Sequence, residues 1–202
     1  MKSRINRILD FWFGDIGEGE VPNEERQKMW WAKNEYIDSL IKQQFEPELL
    51  KAASGGLNNW LNSSEGTLAV IILLDQFPRN IYRGSPEAFS FDSKTLSVSE
   101  KGIEKGYDKK LHPVKRIFFY IPFMHSEELG MQNRSVELFT SLEKEFESNE
   151  EIRAVVSNSK DFAIRHMEII KRFGRFPHRN EILGRESTTK ELEFLRQPGS
   201  SF

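Results

Sequence analysis

Apolar residues recur at three- and four-residue spacing along almost the whole chain, a period that predicts helix after helix. Ser3 is placed to cap a first helix in which Ile5, Ile8, Leu9 and Trp12 share a face, and Gly14 supplies its stop. Pro22-Asn23-Glu24-Glu25 reads as a second start, with acids in the first turn where the helix dipole favours them, leading to Met29, Trp30 and Trp31. Asn34 caps a third stretch through Ile37, Leu40, Ile41 and Phe45, which Pro47 is expected to break before Leu49 and Leu50.

Leu68 to Leu74 is apolar all round, which suits a buried strand or a central helix; the helical neighbours favour helix. Pro78 is expected to end it near Phe77 and leave Asp75 in its last turn. Asp92 reads as the cap of a helix carrying Leu96, Val98 and Ile103, weakened near its end by Gly102 and Gly106. Pro113 opens Val114 to Phe123, interrupted by Pro122, and Ser126-Glu127-Glu128 has the form of a helix start. Val136, Leu138, Phe139, Leu142 and Phe146 belong to one helix. The clearest stripe begins at Glu150 and runs through Ile152, Val156, Ala163 and Ile170 to Phe173. Thr188 to Glu191 forms a capping box before Leu192 and Leu195, and the tail from Gln197 is expected to fray. Without alternating runs bounded by hairpin signals, the prediction is an all-α chain, one helical bundle or array over residues 1–202.

Composition narrows the chemistry. Lysine plus arginine number 29 against 31 for aspartate plus glutamate, so the net charge of -2 gives no global field to attract nucleic acid or an anionic membrane. Any anion site must be local. The absence of cysteine removes disulfides, thiolate ligands and cysteine nucleophiles. Met1-Lys2-Ser3-Arg4-Ile5 lacks the apolar stretch of a secretory signal, and Leu68 to Leu74 is far shorter than the roughly 18 residues that cross a bilayer, so the expected compartment is the cytoplasm.

Three polar segments stand where packing alone would not put them. Asp75-Gln76-Phe77-Pro78-Arg79-Asn80-Ile81-Tyr82-Arg83 follows the most hydrophobic stretch, and a carboxylate beside a buried helix must be paired, hydrogen-bonded or metal-bound. Arg79, Arg83 or the arginines near residue 175 can serve, either in a structural bridge or in a site. Phe118 to Phe123 is an aromatic run that passes into Met124-His125-Ser126-Glu127, where His125 and Glu127 can form an acid–base couple; the spacing matches no zinc motif, and the same residues read as an ordinary helix start. His166 lies on the apolar stripe and faces inward, on the helix that delivers Arg172, Arg175, His178, Arg179, Asn180 and Arg185. Guanidinium groups grip carboxylate and phosphate in a bidentate way, so this cluster suits a small anion; a solvated basic face at a helix end is the plainer alternative. Phe77-Pro78-Arg79-Asn80 and Phe176-Pro177-His178-Arg179-Asn180 echo each other, with one histidine inserted in the second.

These segments, with Leu183-Gly184-Arg185, Ser187-Thr188 and Leu9-Asp10-Phe11-Trp12-Phe13-Gly14, resemble the signatures of the bacterial domain-of-unknown-function family 924 over nearly the whole chain. The resemblance implies a tetratricopeptide-like helical fold and no settled activity. The tetratricopeptide repeat's own spacing is not legible here.

The leading expectation is that the three segments converge on a pocket for a small anionic ligand. Its catalytic candidates are His125, Glu127, His166 and Asp75; its binding candidates are Arg79, Asn80, Arg83, Arg172, Arg175, His178, Arg179, Asn180 and Arg185. Hydrolase or transferase chemistry would suit such a set. The rival is a helical module that binds a protein or peptide through aromatics among Trp30, Trp31 and Trp60, with the polar corners as braces. A metal-dependent variant requires His125, Glu127, His166, Asp75 and His178 to meet; no metal site or cofactor is assigned, and the expected partners include neither nucleic acid nor membrane.

Overall fold

The computed structural model describes residues 3–200, and every described element is helical. Helix α1 (Arg4–Phe13) is capped by the Ser3 side chain and stopped at Gly14, whose φ of 71° suits glycine. Helices α2 (Glu24–Trp31) and α3 (Glu35–Ala53) follow, capped by Asn23 and Asn34. Contrary to expectation, Pro47 does not break α3. Ile41, Phe45, Leu49 and Ala52 lie on one buried face, and the burial of the last two holds the helix together across a proline that costs about 3 kcal/mol in a helix interior.

The apolar run is helix α4 (Ser64–Ile71), and the chain does not leave the helical path at Pro78. Ile72–Gln76 forms one wide π turn in which the Phe77 N–H reaches back five residues to the Ile72 carbonyl, and α5 (Phe77–Ile81) continues from it. Pro78 sits in the first turn of α5, where no N–H is needed, which is why it is tolerated. Helix α6 (Asp92–Glu104) begins at Asp92 without a side-chain cap, because the carboxylate expected to cap it points elsewhere. Helix α7 (Pro113–Met124) passes straight through Pro122 and is buried nearly all round. Helix α8 (Leu129–Glu145) starts three residues beyond Ser126, and that serine is not its cap. The long α9 (Glu150–Phe173) ends at left-handed Gly174, and α10 (Thr189–Leu195) carries the full Thr188/Glu191 capping box.

A core of aromatic edges joins these helices: Trp12 of α1 meets Phe77 and Phe118 at 5.6 and 5.7 Å between ring centroids, and Phe13 and Trp30 meet Phe118 at 5.2 and 4.8 Å. Trp30 also donates its indole N–H to the Trp12 carbonyl. Helices α7, α8 and α9 pack in succession on this core. A small satellite of Ile169, Ile170 and Phe176, with Phe173 and Phe194 against it, seats the second Phe-Pro corner at the end of α9. The tail expected to fray from Gln197 is tied down as far as Ser200, which is buried and donates to the Leu195 carbonyl; residues 201 and 202 lie outside the described residues.

Candidate functional site

The π turn decides where Asp75 goes. Its extra residue per turn swings the carboxylate out of the helix line into the interior, where Asp75 has no exposure at all. There Oδ1 accepts from His125 Nδ1 at 2.9 Å, Oδ2 accepts from Gln76 Nε2 at 2.5 Å, and Arg79 stands 3.8 Å away while donating to the Asp75 carbonyl. Burial raises the Asp75 pKa, but His125, Arg79 and the two hydrogen bonds outweigh it and bring it down to about 2. Asp75 is therefore a carboxylate at neutral pH.

His125, the residue on which α7 ends, is held below the usual histidine pKa by burial and by the Arg79 charge, against the opposing pull of Asp75. A neutral imidazole donating from Nδ1 carries its lone pair on Nε2, and Nε2 has no hydrogen-bond partner among the described residues. That is the arrangement of a positioned proton acceptor.

His166 and His178 join His125. The His166 ring lies 6.3 Å from that of His125, its Nδ1 sits 2.8 Å from the Phe162 carbonyl, and Phe176 packs between it and His178 at 5.4 and 5.6 Å. Burial, then the charge of His125, lowers His166 to about 3; burial, then Arg179, lowers His178 to about 4. Glu127 flanks them. It takes two bonds from Arg185 at 2.7 and 3.0 Å and the Phe176 N–H at 2.8 Å, and these outweigh burial to hold its carboxyl below the usual range.

The two echoing corners do meet here. Arg79 grips Asp92 with both terminal nitrogens at 2.9 and 3.0 Å, and Arg179 reaches the same carboxylate at 3.1 Å. The remaining binding candidates are elsewhere. Asn80 and Arg83 both bind Asp38 of α3; Arg175 and Asn180 both bind Glu191 of α10; Arg172 is exposed on the rings of Phe173 and Phe194. Arg172 and Arg175 border a separate open hollow of about 710 Å³ with Thr188, Lys190 and Glu193. Among the described residues, no three histidine or acidic side chains are grouped so as to hold a metal ion.

A family model described as a bacterial protein of unknown function, DUF924, matches residues 8–199. The chain belongs to the DUF924 family. A solved structure of the protein of unknown function ATU0120 from Agrobacterium tumefaciens is similar to it, with 31% identity, a TM-score of 0.80, and coverage of 95% of this chain and 96% of that one. Among curated proteins none matches. No helix of the described residues is long and apolar enough to cross a membrane.

Three further residues shape the site in this DUF924 chain, Gln76, Asp92 and Phe89, while Asp38 and Glu191 hold the arginines that stand away from it. Gln76 and Phe89 carry no charge to betray them. The three acids have a signal, since arginines drawn into a fold must find carboxylates, but Asp92 and Glu191 also satisfy the pattern of helix caps, which hides their second use.

Proposed function

We propose that this DUF924 chain is a proton-transferring enzyme of the hydrolase or transferase type, acting on a small anionic metabolite with His125 as the base that Asp75 orients. The observation that carries the reading is the 2.9 Å contact of His125 Nδ1 with a fully buried, ionised Asp75, which leaves Nε2 basic and unclaimed. A carboxylate behind a histidine fixes the tautomer and stabilises the imidazolium formed when Nε2 takes a proton. The π turn adds support, since such turns recur at functional sites and this one carries Asp75 inward. Local charge tempers the anion preference: Asp75, Asp92 and Glu127 balance Arg79, Arg179 and Arg185, so an anion is held by geometry and not by a cationic field.

The test is a screen of the purified protein against phosphate esters, carboxylic esters and amides, followed by His125→Gln. Loss of about a hundredfold or more in turnover, with folding retained, is expected for removal of a general base. Turnover that His125→Gln leaves intact while lowering the melting temperature reduces the Asp75–His125 pair to a brace.

A protein-interaction module without catalysis is the second reading, and Trp31 favours it. Its indole is 59% exposed, stacks on Phe118 at 5.8 Å, and borders a hollow of about 220 Å³ with Trp30, Ile117 and Val155. On this reading Trp31→Ala loses a peptide partner that His125→Gln keeps; a partner kept by both removes it.

A further inference from the structure

We infer that Arg179 anchors a carboxylate of the substrate, held by the edge of the guanidinium formed by Nε and Nη2. The place of the chemistry rests on the acid–base reading of His125; the anchoring does not. Arginine offers a carboxylate two forks, one through both terminal nitrogens and one through Nε and Nη2. Arg79 and Arg185 spend the terminal fork on Asp92 and Glu127, and Arg83 and Arg175 spend the Nε/Nη2 fork on Asp38 and Glu191. Arg179 alone among these five gives a carboxylate a single nitrogen, Nη1 to Asp92. Its Nε is buried without a partner, and its Nη2 makes no hydrogen bond among the described residues. The edge that closes on an acid in Arg83 and Arg175 is thus unused in Arg179, on a side chain only 7% exposed.

Position and charge specify the guest. The guanidinium packs on the rings of Phe89 and Phe176 at 4.6 and 4.5 Å, which fixes its plane, so the acceptor must present two oxygens in that plane. A flat carboxylate does so more closely than a tetrahedral phosphate. With three acids already balancing three arginines and the histidines neutral, one added charge is tolerated better than the two of a phosphate. Phe176, under Arg179 at 4.5 Å, lies 5.4 Å from the His166 ring, which in turn lies 6.3 Å from that of His125, so the anchor stands on the histidine side of the site.

The experiment follows the arginine Nε–H signals of the full chain by proton–nitrogen NMR during separate titrations with acetate and with inorganic phosphate at constant ionic strength. Contacts to the ring protons of Phe89 and Phe176 assign Arg179 without any variant. Acetate is expected to move the Arg179 signal and saturate in roughly the millimolar range, leaving those of Arg83 and Arg175 in place. Arg179→Lys, with acetate binding followed through the ring-proton signals of Phe89 and Phe176, is expected to weaken binding about tenfold, as loss of one charge-assisted hydrogen bond does. An Arg179 signal indifferent to acetate, or one that answers phosphate at lower concentration, overturns the inference. His125→Gln that binds acetate as the wild type does, whatever its turnover, upholds the anchor even if the base is wrong.

Discussion

Arg79 and Arg179, from corners a hundred residues apart in sequence, close on one carboxylate, that of Asp92 at the start of α6. Removing it leaves two largely buried guanidinium groups facing each other, and breaking a buried pair costs on the order of 3 to 5 kcal/mol. Asp92→Asn is therefore expected to lower the urea unfolding free energy by about 3 kcal/mol, the lower figure because Asp92 keeps some contact with water. A change below about 0.5 kcal/mol, the usual surface value, would mean that the corners stand without their shared acid.

The asparagines of the two corners repeat a second device. Asn80 shares Asp38 with Arg83, and Asn180 shares Glu191 with Arg175. Glu191 also accepts from the Thr188 N–H, so one carboxylate closes the capping box and holds the corner. Glu191→Gln is expected to cost more than Thr188→Ala, for which loss of a cap predicts about 1 kcal/mol. Equal losses in thermal unfolding of the two variants would confine Glu191 to the cap.

Acid should open the site from the histidines outward. His166 and His178 titrate near 3 and 4 in the fold and near 6.5 when unfolded, so between those values the unfolded chain binds more protons. The stability they contribute is complete above pH 6.5 and is lost as pH falls toward 4. A tenfold difference in proton affinity between the two states is worth about 1.4 kcal/mol, so the urea midpoint at pH 4.5 should fall well below that at pH 7, by an amount equivalent to roughly 3 kcal/mol or more. Asp75 adds its own loss only below about pH 4, as its carboxylate is protonated on the way to 2. In His166→Phe the dependence between pH 6.5 and 4 should flatten; a slope unchanged from wild type would assign it to other groups.

What can be read from the sequence is local. Helix caps at Ser3, Asn34 and Thr188 and the stop at Gly14 are decided by neighbouring residues, and all are realised. Proline misleads because its local cost is visible in the sequence and the long-range gain that offsets it is not: Pro47 and Pro122 lie inside helices that burial holds together, and Pro78 is absorbed by a π turn that no local rule signals. The polar segments are legible as a set, but their pairing is not: the sequence suggests arginines for Asp75 and Glu127 for His125, whereas His125 meets Asp75 and Glu127 binds Arg185. Which acid each arginine chooses is not legible, because Asp38, Asp92 and Glu191 reach their partners only through the packing of α3, α6 and α10. That pairing turns an apparent basic cluster into a balanced one.

Gly102 of α6 lies directly against Phe119 of α7. A Cβ at this position would lie 2.5 Å from Phe119 Cζ, 2.8 Å from Cε1 and 3.2 Å from Thr67 Cγ2. Phe119 is fully buried, and the Ser99 hydroxyl on the same helix as Gly102 donates to the Phe119 carbonyl, which keeps the two backbones together. Helix propensity alone would make Gly102→Ala stabilising by about 1 kcal/mol, but forcing a methyl into a packed interface costs about 1 to 3 kcal/mol, and with contacts this short the clash is expected to win. The melting temperature should fall, and because α6 begins at Asp92 and α7 ends at His125, the imidazole nitrogen signals of His125 should shift although residue 102 does not touch it. A rise in melting temperature would mean that Phe119 yields to the added methyl.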